Sequence, residues 1–156
     1  MDALEELYDE VEKKGIEVIE EHFSDTKKGA CLHSEGYSVI VLDKRRIETK
    51  AEERVILQEE YSHYETGGLY LVEATMNTAV GRINRIIAEG KARRHMIKKL
   101  IPHEELKEVC VMRRLNNEEL AEHFGVTEGV VEAAFELYEM LGIGIRDEEE
   151  TAWCGD

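Results

Sequence analysis

Proline is almost absent: Pro102 is the only one in 156 residues. With helix breakers so scarce over long stretches, helix is expected to dominate. Cysteine is nearly as sparse. Cys31, Cys110 and Cys154 stand too far apart for a CxxC metal or redox motif, and their odd number excludes a disulfide scaffold. They read as reduced packing thiols. No apolar run approaches the roughly 18 residues a membrane span needs. The opening MDALEELYDEVEKK is acidic where a secretory signal is basic and then apolar, so a cytoplasmic protein is expected. Positive charge is also in deficit, with 20 Lys and Arg against 35 Asp and Glu, a net charge of −15. That sign disfavours nonspecific binding to nucleic acid.

What remains is enough to fold. Apolar residues make up 42% of the chain, and the length suits one compact domain. The acids are unevenly spread. Residues 1–26 carry −8, residues 27–76 carry −2 and residues 102–156 carry −11, whereas residues 77–101 hold seven bases and one acid, Glu89, for +6. Such a basic segment either packs among acidic neighbours or offers a patch to an acidic partner.

Residues 3–23 place Leu4, Leu7, Tyr8, Val11, Ile16, Val18, Ile19 and Phe23 at mostly helical spacing, which predicts a helix that Gly15 bends or divides. Two short β-rich runs, from Gly29 and from Tyr37, flank Ser34-Glu35-Gly36 and predict a hairpin. Thr49 and Glu52 have the spacing of a capping box, so a helix is expected from there to about Glu65, ended by Gly67-Gly68. Residues 69–76 read as a loop or short strand. A long basic helix follows over 77–101. Pro102 stops it and suits the first turn of the next helix, with Glu104 and Glu105 at the positive end. Residues 116–141 read as helix, tight turn, helix, and residues 143–156 as an acidic tail.

The chemistry concentrates in Val55-Ile-Leu-Gln-Glu59-Glu60-Tyr-Ser-His63-Tyr. On a helix, Glu59 and His63 are four apart and share a face, so a carboxylate and an imidazole can approach one ion. Glu60, next to the first ligand, has the place of the general base in an HExxH arrangement. The pattern here is E-E-x-x-H, and an ExxxH pair in a Glu-rich helix also arises as a solvated Glu–His pair.

Taken together, VILQEEYSHYETGG, AEGKARRHMIKKLIP and ELAEHFGVTEGVVEAAFELYE resemble the ImmA/IrrE family of metallopeptidases over residues 1–142, most of all its phage and mobile-element members. The resemblance implies an α+β, mostly helical, zincin-like domain with a small hairpin or sheet and a helical C-terminal region. It implies a hydrolase that cuts a helix-turn-helix repressor. Glu59 and His63 would be metal ligands and Glu60 the base. The family's third ligand is an acid on the downstream helix, and the aligned position here is Lys91. Glu89, two residues earlier, is the candidate in its place, with His95 as the alternative; Glu89 could instead simply neutralise Arg85 and Arg93. The implied ion is zinc. A second carboxylate ligand would lower its Lewis acidity and shift preference toward manganese or another harder divalent ion. The alternative function is a catalytically silent zincin-like module that binds a transcriptional regulator without cutting it.

The C-terminal pair resembles a helix-turn-helix, but its second helix carries Glu128, Glu132, Glu136 and Glu139 with no Lys, Arg, Asn or Gln. Phosphates would repel it, so a structural or protein-binding role is expected and no direct contact with DNA or membrane. Tyr61 and Tyr64 are expected in the core or on the rim of the site, where either could donate to an oxyanion. His22, His33, His103 and His123 lack ligand spacing.

Overall fold

The computed structural model describes residues 1–67 and 77–146. The expected segment 69–76 and the tail from 147 onward lie outside the described residues. The chain divides into two compact units, Met1–Met96 and Ile97–Asp156. The class is mixed α+β and mostly helical, with six α-helices and three strands among the described residues.

In the first unit, helix α1 covers Ala3–Lys13. Asp2 opens it with a reciprocal cap: its Oδ1 accepts from the Glu5 amide at 2.9 Å, and Glu5 Oε2 accepts from the Asp2 amide at 2.8 Å. Leu7 and Val11, one turn apart, form its buried stripe. The helix expected through residue 23 stops at Lys13. The chain turns at Gly15, Ile16 is buried, and Val18 and Ile19 fall in a strand, β1, over Glu17–Glu20. Three β-branched residues within four positions lose little by extending, and a strand partner is available to them.

That partner is distant in sequence. Strands β2, Gly29–Ser34, and β3, Tyr37–Leu42, form the expected antiparallel hairpin, registered from Gly29 opposite Leu42 to Ser34 opposite Tyr37. Glu35 and Gly36 make the two-residue turn, both at positive φ, which matches the twist of the strands. Strand β1 pairs with β3 in parallel, Glu17 opposite Val39 through Glu20 opposite Leu42. The sheet order is therefore β1-β3-β2, with β3 central.

Helix α2 covers Lys50–Glu65. The Thr49 hydroxyl accepts from the Glu52 amide at 3.1 Å, as the spacing predicts, but the Glu52 carboxylate takes the Glu48 amide rather than that of Thr49. Ile56, Leu57 and Tyr61 of α2 pack with Leu7, Val11, Ile16, Ile40 and Leu42 into one core. Burying each such aliphatic side chain contributes roughly 1.5–3 kcal/mol. Lys50 pairs with Asp2 at 3.1 Å and Tyr8 donates to Glu53, so polar contacts join α1 to α2 beside the apolar one. Asp43, just past β3, is fully buried and accepts from the Arg45 guanidinium at 2.8 and 3.0 Å and from the Phe23 amide at 3.0 Å.

Helix α3, Ala79–Leu100, crosses the boundary between the two units. The second unit continues with α4 over His103–Arg113, α5 over Asn117–Phe124 and α6 over Glu128–Met140. Pro102 precedes α4 as expected. Leu106, Leu120, Val131 and Tyr138 fill this unit's core, and the Tyr138 hydroxyl donates to the Ile101 carbonyl. Glu128, Glu132, Glu136 and Glu139 of α6 are exposed. No described helix is long and apolar enough to cross a membrane.

Candidate functional site

On helix α2, His63 meets α3 and Glu60 meets strand β2. His63 Nε2 lies 3.4 Å from Glu89 Oε2, so the imidazole of α2 and the one acid of the basic helix meet. The His63 side chain is 15% exposed and that of Glu89 54%, which leaves the pair open to solvent from the Glu89 side. Glu59 is half-buried one turn before His63.

Glu60 faces the sheet. A Cβ placed on Gly29 of β2 would stand 3.3 Å from Glu60 Oε1, 3.2 Å from its Cγ and 2.7 Å from Ile56 Cγ2. Glycine is the residue that lets the strand come this close. Burial pushes the Glu60 carboxyl up from its ordinary 4.5 to about 7, and the neighbouring charges of Glu59 and Glu89 push the same way. Lys27 and the Cys31 backbone amide oppose that rise. The Cys31 thiol is itself driven up to about 12, by burial first and then by Glu60, so it is an inert neighbour and no nucleophile.

His95 has other partners. Its Nδ1 lies 3.1 Å from the buried Ser62 Oγ, which also accepts from Gln58 Nε2 at 3.3 Å, and its Nε2 lies 3.9 Å from Glu65 Oε2. The network ties α3 to α2 on the flank of the His63–Glu89 pair. Tyr61 is wholly buried in the core and stacks on Tyr64, with ring centroids 6.2 Å apart. His33 contacts Ser38 at 2.7 Å, and His123 contacts Glu105 at 3.3 Å.

Two zinc ligands about 2.1 Å from a tetrahedral ion lie about 3.4 Å from each other. The 3.4 Å between His63 Nε2 and Glu89 Oε2 fits one such edge. The donor types, one imidazole with flanking carboxylates, also suit a divalent ion. Among the described residues no three His, Cys, Asp or Glu gather into a metal-binding group. Motif spacing does not mark Gly29, Lys27 or the Ser62–His95 contact. The small-residue run Gly29-Ala30 directly after two lysines is the one signal that points to a close, charged approach at that strand end.

No protein-family model matches the chain, and no curated protein or solved structure matches it either. The motif residues and their placement carry the functional reading.

Proposed function

We propose that the Met1–Met96 unit carries a zincin-like, metal-dependent peptidase site of the ImmA/IrrE type. Its substrate would be a cytoplasmic helix-turn-helix repressor of a phage or mobile element. The observation that carries this reading is the 3.4 Å edge between His63 and Glu89 on two different helices, with Glu59 one turn away. Glu59, His63 and Glu89 would hold the ion, zinc or manganese, and that ion would polarise the scissile carbonyl. Glu60 supplies the proton traffic. Burial pushes its carboxyl up, which makes it a stronger base toward a water proton and a ready donor to a leaving amine. Strand β2 supports a peptide substrate, because it is an edge of the sheet and its Gly29 end adjoins Glu60. An extended chain can add to such an edge through main-chain hydrogen bonds.

A second reading has its own observation. Among the described residues only His63 and Glu89 stand together and Glu59 does not gather with them into a three-ligand group, which favours a silent module that binds a transcriptional regulator without cutting it. Elemental analysis by mass spectrometry separates the two. The peptidase reading expects one ion per chain, removed by chelation, lost in His63→Ala and kept in Glu60→Gln. Absence of any retained ion in the wild type after incubation with zinc and with manganese would sink it in favour of the silent module.

A further inference from the structure

The first two and a half turns of α3 expose Val80, Ile83, Ile86 and Ile87, at 67%, 56%, 71% and 50%. At about 100° per residue these four span about 120° of the helix circumference. The opposite side of α3 carries the buried Gly81, Ala92 and Met96. The face therefore has the width of a packing stripe and no packing partner among the described residues. Scattered exposed aliphatics need no explanation, but four on one face of one helix do.

The bases around this face are also exposed. Arg82 and Arg93 border it on one side, and Lys91 and Arg94 lie at its C-terminal end; all four are exposed. Arg82 donates to the Asn77 carbonyl at 3.1 Å, and among the described residues no carboxylate pairs with any of the four. Among the described residues, then, these four bases are not neutralised by a carboxylate. An apolar stripe rimmed by exposed cations fits a helix with an apolar face and acidic flanks. An anionic bilayer offers the same two features, but its charge extends beneath the whole chain, whose net −15 opposes it, whereas a single helix meets only the local basic patch within a screening length.

We propose that this face of α3 docks an acidic amphipathic helix of a partner protein. The surface uses none of Glu59, His63 or Glu89, and binding there is measured without metal, so this proposal and the peptidase reading can fail separately.

The test is fluorescence anisotropy with the full chain and a labelled synthetic helix, Leu at helical spacing on one face and Glu on the other. Saturable binding is expected, with an affinity at least about tenfold weaker in Ile83→Ser/Ile86→Ser and again in Lys91→Glu/Arg94→Glu. It should weaken in about 1 M salt, where screening reaches in to about 3 Å. Several results would overturn the proposal: no saturable binding, equal binding of a scrambled peptide, or binding indifferent to both double variants. So would tighter binding to phosphatidylserine vesicles than to the peptide, or a self-association in sedimentation that the isoleucine variant abolishes. A fall of several degrees in the melting temperature of the isoleucine variant would also overturn it, because the face would then be covered by the chain itself.

Discussion

His63 Nε2 and Glu89 Oε2 stand 3.4 Å apart, an imidazole and a carboxylate from two helices, with the acid side chain 54% exposed. Alone, such a half-exposed pair stabilises by about 0–1 kcal/mol. With a divalent ion between the atoms, the free energy of binding is added to folding. The size of that addition decides which description holds.

Wild type is therefore predicted to gain about 2.7 kcal/mol at a hundredfold excess of zinc or manganese over the dissociation constant. His63→Ala and Glu89→Gln should lose most of this gain, whereas His95→Asn should keep it, because Ser62 already holds the His95 ring. Melting curves with and without ion make the measurement. An equal gain in wild type and Glu89→Gln would reassign the third ligand.

Glu60 makes a second prediction, through pH. Its carboxyl is raised in the folded state from 4.5 to about 7, so between those values the native chain binds more protons than the unfolded one. Stability from this residue is present in full below 4.5 and declines as pH rises to about 7. Glu60→Gln should remove that decline. Each tenfold difference in proton affinity between the folded and unfolded chain is worth about 1.4 kcal/mol, so the variant should be up to about 3 kcal/mol more stable than wild type above neutrality. Urea unfolding of both proteins across this range reads the difference. Parallel pH profiles would mean that Glu60 is not held in a desolvated place.

Gly29→Ala is predicted to destabilise by about 1–3 kcal/mol, the usual cost of overpacking. The new methyl would stand 2.7 Å from Ile56 Cγ2, a side chain packed into the buried cluster, so something there must shift. Ile56→Val keeps that γ-methyl, so Ile56→Ala is the compensating change. In the double variant the two costs should sum to less than the separate values, as denaturant titrations would show.

Asp43 sets the acid limb of stability. The Arg45 guanidinium, with help from the Phe23 amide and Arg46, holds its carboxyl well below the ordinary 3.8. Its contribution is therefore complete above that ordinary value and is lost as pH falls below it. Asp43→Asn should lower the melting temperature by several degrees at neutral pH. It should also flatten the acid side of the stability profile. An unchanged acid limb would locate the acid-sensitive group elsewhere.

Local signals in the sequence locate α2, the hairpin, Pro102 before α4, and the α5–α6 pair, because caps, turns and breakers act within a few residues of themselves. They misread residues 14–23. There the apolar positions suit a helical stripe, but β1 is decided by a partner about twenty residues downstream, and single-segment spacing carries no trace of that pairing. The meeting of His63 with Glu89 is legible from chemistry, since a lone acid in a basic helix asks for a counterpart. The burial of Glu60 against Gly29 is not. A close approach between strand and helix is a tertiary event, and glycine alone does not announce which neighbour it admits. Whether the bases of α3 are neutralised likewise depends on where the acids lie in space, which spacing along the chain does not give.

The strand order β1-β3-β2 also fixes a sequence in time. The hairpin closes across two residues, a step of microseconds. Strand β1 must wait, because its partners, Val39 to Leu42, come last of the three strands. On a chain emerging from the ribosome N-terminus first, Ile16, Val18 and Ile19 would stay unpaired until Leu42 had appeared. Pulse-labelled hydrogen exchange during refolding should accordingly protect the amides of the hairpin before those of β1, which makes the N-terminal strand the last piece of the sheet to commit and the first stretch exposed to wrong partners.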